Sequence, residues 1–436
     1  MEPLPSTQWK SYQDWNWGGM DVRLKHFLAG IHKPAIVTNK HVKISDPFAA
    51  GQYWCCLELV ADDGTLFIAR MRLPPHPEAT GYLDDSLRID CELATMNYVR
   101  SRTSIPVPKV FAYEKEGSAK AHIVGAPYMI IEGFRGTTLQ DSIDLFDIPE
   151  TAQQKVFDQW TSFQAELATL TFSHIGSVRS TSHADPKPSI VKIPTDEAGT
   201  IGPFLHSAEY FYSIASAKYQ TALKTLDPSQ KMPGRFDILG PYVFCDIISR
   251  ASIFKSLLPG PFPLNHMDMG AQNLLVDNNF NIIAVIDWEM AQISPWEALY
   301  FPMPFPTNIE SSSDLQEHLS DTNHVAHKFT TKIFEAQRVY VASFRRAESK
   351  LKELGTTVDH SLASLIESDA SKLYWIMEQF GGGTADWDEI HMFAAVRIAF
   401  GMDRTAAENY FQTKAAEIKD QKAGTHIHSI GSSGTM

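Results

Sequence analysis

His266-Met267-Asp268-Met269-Gly270-Ala271-Gln272-Asn273, followed after a short connection by Ile286-Asp287-Trp288-Glu289, is the stretch whose reading decides the fold. It has the form H-x-D-x-x-x-x-N and then I-D-W. Two carboxylates and an amide in this order are what phosphoryl transfer from ATP requires. In that chemistry the protein does little covalent work: it holds Mg²⁺ on the nucleotide phosphates and sets one carboxylate to take the acceptor's proton. Asp268 is the candidate base. Asn273 and Asp287 offer hard oxygen ligands, suited to a cation that takes one or two protein groups and fills its remaining positions with phosphate and water.

The residues between the two motifs support this reading. Leu274-Leu275-Val276 and Ile282-Ile283-Ala284-Val285 are short apolar runs, and Asp277-Asn278-Asn279 between them is turn chemistry, which predicts a β-hairpin. A hairpin brings its two ends together, so Asn273 and Asp287 are expected side by side near Asp268 whatever the rest of the fold.

The motif resembles the catalytic loop of the aminoglycoside phosphotransferase and choline kinase group, small-molecule kinases with a protein-kinase-like fold. The resemblance spans roughly residues 45 to 420 and is strongest at 91–136 and 264–306. It implies an α+β, bilobal fold: a small N-lobe with an antiparallel sheet and one helix, ATP in a cleft, and a large, mostly helical C-lobe. The boundaries read as an N-terminal extension over 1–45, the N-lobe and hinge over 46–133, the C-lobe with catalytic loop and acceptor pocket over 134–423, and a disordered tail over 424–436.

On this resemblance, Leu66-Phe67-Ile68-Ala69-Arg70-Met71-Arg72 is the strand that carries the phosphate-pairing cation. The family's residue is usually Lys; here Arg70 takes its place, and Ile-Ala before it matches the V-A-x-K cadence. Arg72 is the other candidate, since two residues on in a strand it points the same way. The cation needs a carboxylate on a helix. Ile89, Leu93, Met96 and Val99 recur at helical spacing around Glu92, which the resemblance makes that partner. The helix is expected to end before Ser104-Ile105-Pro106-Val107-Pro108, where two prolines stop it.

The loop over the phosphates is the weakest element. Phe48-Ala49-Ala50-Gly51-Gln52-Tyr53-Trp54 holds one glycine, and Tyr53 and Trp54 stand to close part of the phosphate space. Ala126 to Phe134 reads as a strand running into a glycine break and resembles the hinge, with backbone groups at Ile131 and Gly133 expected to meet adenine.

Composition agrees with one large two-lobed unit: 436 residues, 44% hydrophobic and 20% charged. A net charge of −13 disfavours nucleic acid or an anionic membrane as partner and is compatible with a cationic substrate. Cys55, Cys56, Cys91 and Cys245 show no C-x-x-C spacing and read as reduced thiols of a cytoplasmic protein. Neither a signal peptide nor a membrane-spanning run is visible. Trp9, Trp15 and Trp17 suggest an extension packed on a lobe.

In the C-terminal part, Val156, Trp160, Phe163, Leu167 and Leu170 form an amphipathic stripe expected to be the long central helix. Residues 181–203 read as an inserted loop of the kind that shapes acceptor pockets in the family. Trp288, Glu289, Trp296, Glu297 and the Pro302/Pro304/Pro306 cluster offer aromatic faces and carboxylates that suit an ammonium-bearing acceptor, and a proline-rich packing corner explains them equally well. Further helices are expected near 327–350, 361–380, 387–400 and 403–420. The phrasing is nearest to fungal members of the family. The expectation is an ATP- and Mg²⁺-dependent kinase of a hydroxyl-bearing small metabolite. The alternative is a catalytically silent kinase-fold protein that binds a ligand or partner. A protein kinase fits less well, because the A-P-E signal is missing.

Overall fold

The computed structural model describes residues 22–430 apart from 33–40, 52, 75–84, 143–147, 181–187, 196–198, 226–234, 303–304, 306 and 380–384. Trp9, Trp15, Trp17, Gln52, Pro304, Pro306 and the first part of the inserted loop therefore lie outside the described residues.

Five antiparallel strands form the N-terminal sheet: β1 (Val42–Ala50), β2 (Trp54–Ala61), β3 (Leu66–Arg72), β4 (Val110–Glu114) and β5 (Tyr128–Glu132), in the order β1-β2-β3-β5-β4. The β2–β3 turn is set by Gly64, whose φ of 79° is a left-handed conformation that favours glycine. Side chains alternate along each strand. Leu57, Leu59, Phe67, Ala69 and Met71 bury into a core that α1 (Val22–Gly30) closes with Leu24 and Leu28, while α3 (Ala119–Val124) adds Val124. Part of the segment read as an extension thus belongs to this lobe: α1 packs on the sheet and β1 starts at Val42. Trp54, Cys56, Ile68 and Arg70 alternate to the other face, which borders the cleft.

Helix α2 (Asp85–Arg102) packs beneath that face through Ile89, Met96 and Val99. Arg100 and Arg102 in its last turn complement the carbonyl end of the helix, and Pro106 and Pro108 forbid its continuation.

The C-terminal part is built from α4 (Leu139–Ser142), α5 (Glu150–Ala168), α6 (Ser207–Thr225), α7 (Arg235–Arg250), α8 (Ser312–Ser320), α9 (His327–Glu353), α10 (Leu362–Leu365), α11 (Asp369–Gln379), α12 (Ala385–Phe400) and α13 (Arg404–Ile430). This is the bilobal α+β arrangement expected. The central helix α5 buries Val156, Trp160, Phe163 and Leu167, the stripe read from sequence. Helix α13 runs to Ile430 and so continues through the first residues of the segment read as a disordered tail; Ala, Glu and Lys before it are strong helix formers.

Candidate active site

The hairpin forms as expected, Leu274–Val276 against Ile282–Val285, with Leu274 opposite Val285. Its turn is closed by Asp277, whose carboxylate accepts from the Asn279 and Asn281 amides at 2.8 and 2.9 Å and from the Asn281 side chain at 2.7 Å. Gln159 on α5 accepts from the Ile282 amide at 2.9 Å, and the Trp160 indole donates to the Met269 carbonyl at 2.9 Å. The central helix therefore holds both the hairpin and the loop that carries Asp268.

Within that loop, Asp268 is gripped by its neighbours. The Asn273 amide nitrogen donates to the Asp268 carboxylate at 2.9 Å and to its carbonyl at 2.8 Å, and Gln272 donates to the other carboxylate oxygen at 2.9 Å. Both Asn273 donors are used on Asp268, which leaves the Asn273 side-chain oxygen for another partner. Burial pushes the Asp268 carboxyl up to about 6; the negative charge of Asp287 adds to this and the two amides oppose it.

Asp287 sits at φ 61° and ψ 65°, and Met267 at φ 65°, so two non-glycine residues that line the cleft hold left-handed backbones. The Met267 conformation is fixed by the Asn265 side chain, which accepts from its amide at 3.1 Å. The Asp287 side chain remains 48% exposed, open to the cleft.

Arg70 is the arginine of β3 that meets this set. Its guanidinium bonds Glu92 at 2.5 Å and Asp287 at 3.2 Å and lies over the Trp54 ring at 4.6 Å. Burial opposes its charge, but Glu92 and Asp287 outweigh this and hold it protonated; burial also pushes the Glu92 carboxyl upward, and Arg70 pulls it back. Arg72 points to the same face, as strand geometry requires, but bonds Glu289 at 2.9 and 3.1 Å.

His266 is fully buried. Its Nε2 donates to the Ile286 carbonyl at 3.0 Å, and its ring packs edge-on against Trp288 at 4.6 Å. It joins the two motifs from below and does not face the cleft. We expect His266→Ala to lose ~2–4 kcal/mol of stability through the lost bond and the cavity, a loss that calorimetry should register at least as clearly as any fall in rate. Burial lowers the His266 pKa from 6.5 to about 4. The fold thus binds fewer protons here than the unfolded chain does, so the stability of the neutral ring is lost as pH falls from about 6.5 through about 4, a component that the alanine variant lacks.

One continuous cleft of about 1200 Å³ joins these groups. Ile68, Ile131, Leu275 and Ile286 line it together with Arg70, Asn273 and Asp287, and so do Tyr210, Lys218, Tyr300, Tyr374 and Glu378. Ile193, Thr195 and Ile201 from the inserted segment also line it.

The structure departs from several expectations. The Gly133 amide donates to the Leu66 carbonyl at 3.0 Å and is not turned to the cleft; a Cβ there would lie 2.5 Å from the Leu66 side chain, so packing explains this glycine. Glu132, Phe134 and Arg135 line the cleft around it. The Gly51 amide donates to the Trp54 carbonyl at 2.9 Å, closing the loop upon itself. Trp288 and Trp296 are fully buried and Glu297 accepts from the Leu258 amide at 2.6 Å, which fits the packing corner, while Glu289 is held by Arg72 at the edge of the cleft. Sequence reading missed Gln272, whose i+4 spacing from Asp268 was a usable signal. It also missed Tyr210, Tyr300, Tyr374 and Glu378 in the cleft, for which scattered helices gave none.

No family model matches the chain. It is 32% identical over 98 residues to altered inheritance of mitochondria protein 9 of Debaryomyces hansenii, a match covering 21% of this chain and 15% of that protein. It is 22% identical over 295 residues to clavilactone A biosynthesis cluster protein Y of Ampulloclitocybe clavipes, covering 65% of this chain and 69% of the other. The first match thus spans under a fifth of its relative's length. Similar solved structures include an ADP-bound aminoglycoside phosphotransferase (14% identity, TM-score 0.40, 87% of this chain and 99% of the other) and the ethanolamine kinase of Plasmodium vivax (11%, TM-score 0.43, 92% and 91%). Both are small-molecule kinases.

Proposed function

We propose that the protein transfers the γ-phosphoryl group of Mg-ATP to a hydroxyl of a small molecule. The observation that carries this reading is the convergence of Asp268, Asn273 and Asp287 with the Arg70–Glu92 pair on one cleft. In the reaction the Asp268 carboxylate takes the acceptor's hydroxyl proton, the oxygen bonds to the γ-phosphorus, and the bond from that phosphorus to the bridging oxygen breaks to leave ADP. Asn273, with its side-chain oxygen spare, and Asp287, with its carboxylate open to the cleft, fit Mg²⁺; bound there, the ion would neutralise phosphate charge. Arg70, held by Glu92, pairs with the phosphates.

Tyr300 and Tyr374 pack with ring centroids 5.8 Å apart, burial keeps the phenols protonated, and Glu378 adds a carboxylate beside them. Aromatic faces and a carboxylate support an amine-bearing acceptor. A metabolite is favoured over a drug, in keeping with the biosynthesis-cluster name of one relative. Cys55, Cys56, Cys91 and Cys245 are all outside disulfides. We place the protein in a reducing compartment, either the cytoplasm or the mitochondrion, the second because two relatives carry "mitochondrial" in their names. Among the described residues no helix is long and apolar enough to cross a membrane.

Thermal stabilisation tests the reading. Nucleotide at 1 mM with a dissociation constant near 10 µM raises stability by roughly 2.7 kcal/mol. We expect Arg70→Ala to weaken Mg-ATP binding and depress turnover, and Arg70→Lys to keep part of both. The silent-protein alternative draws on the Gly51 amide being spent on Trp54; it predicts no stabilisation by any Mg- or Mn-nucleotide, and that outcome overturns the kinase reading.

A further inference from the structure

Resting on the phosphotransferase reading, we propose that Glu289 is a positioning residue: with Trp54, Arg72 and Arg88 it forms a fixed latch between the lobes that sets the spacing between the phosphate-covering loop and Asp287. Glu289 accepts from Arg72 at 2.9 and 3.1 Å and from the Trp54 indole at 2.6 Å, and the Arg88 guanidinium lies 3.7 Å away. Tyr53 covers the group, its ring 5.0 Å from the Arg72 guanidinium and 5.4 Å from that of Arg88. Trp54, Arg72, Arg88 and Glu289 are all buried.

The placement of these groups defines the role. Trp54 ends the Gly51 loop and begins β2, Arg72 ends β3, and Arg88 belongs to α2. All three converge on one carboxylate of the C-terminal part, two residues beyond Asp287. The connection between Asp287 and Glu289 is the short 3₁₀ turn Trp288–Met290, pinned by the buried Trp288 indole donating to the Val285 carbonyl at 2.8 Å. A shift of Glu289 is therefore a shift of Asp287.

Strand and turn also match in period. Arg70 and Arg72 are two apart on one face of β3, and they meet Asp287 and Glu289, two apart on the turn. The result is two rungs between the lobes. The Asp287 rung involves a carboxylate open to the cleft and must yield when a metal-bound phosphate arrives. The Glu289 rung is buried, shielded from water and salt, and stays closed. Its role is to keep the loop and Asp287 at the same separation in the empty and the loaded protein.

The test uses the full chain. Trp54→Phe keeps an aromatic ring beside Arg70 but removes the N–H donor and part of a buried ring; Glu289→Gln removes the charge that faces two buried arginines, so it risks the fold. We expect Trp54→Phe to fold but to melt below wild type without nucleotide, and to bind the Mg²⁺ complex of a non-hydrolysable ATP analogue about tenfold more weakly, the factor one charge-assisted hydrogen bond carries. Where Glu289→Gln folds, its amide oxygen can still accept from Trp54 without the charge, so adding Trp54→Phe should cost less in that background than in wild type, the mark of one shared contact. Wild-type affinity in Trp54→Phe, or additive losses in the double variant, overturns the latch. A wild-type protein that binds no Mg-nucleotide overturns the phosphotransferase reading, and the latch's role with it.

Discussion

Asp268→Asn is expected to lower turnover by roughly 10² to 10⁴, the weight of general base catalysis, while nucleotide affinity stays near that of wild type. The substitution is nearly isosteric, so the grip of Gln272 and Asn273 on the side chain changes little in shape. What changes is basicity: a carboxylate that burial has pushed up to about 6 is well matched to take a hydroxyl proton near neutral pH, and an amide is not. Steady-state kinetics beside a nucleotide titration decide the matter. If turnover is unchanged, Asp268 does not take the proton; if nucleotide affinity collapses with it, the residue serves binding.

Asp287→Ala is expected to abolish metal-dependent nucleotide binding. A carboxylate open to the cleft is the strongest hard ligand in the site, and without it the charge of the phosphates is left to Arg70 alone. Alanine must also hold the left-handed backbone seen at φ 61°, which aspartate tolerates better, and it loses the ion pair with Arg70. Melting without nucleotide reports both of these, and the Mg-ATP-dependent rise in melting temperature reports the ligand. A rise equal to that of wild type would place the metal elsewhere.

The parts of this site that were legible in sequence are those that fold locally. Asp268, Asn273 and Asp287 lie on a loop and a hairpin whose turn chemistry forces their ends together, so no long-range contact had to be known. The choice of Arg70 over Arg72 rested in sequence on the Ile-Ala cadence alone, since both alternate to the same face; in the fold the two are distinguished by carboxylates far along the chain, Asp287 and Glu289, which pair with them in order. Gly133 was read as a hinge contact from its place after a strand, but the Leu66 side chain against it is what excludes a Cβ. The aromatic and acidic residues after Asp287 could be read as binding groups or as a packing corner, because composition cannot distinguish a tryptophan with a packing partner from one without. The cleft also draws Tyr210 and Lys218 from α6, Tyr300 from a loop, and Tyr374 and Glu378 from α11, a set assembled only by tertiary packing.

The bond between Arg70 and Asp287 has a bearing on the order in which reactants arrive. In the empty protein the carboxylate that would ligate the metal already has a counter-ion 3.2 Å away, fixed on a strand and backed by Glu92. A lone divalent cation would have to displace a like charge and gain one carboxylate in return. A nucleotide that brings its own metal offers both sides of the exchange at once: phosphate for the arginine and cation for the aspartate. On the phosphotransferase reading, the pairing of Arg70 with Asp287 therefore favours a nucleotide that brings its metal over either ion arriving alone.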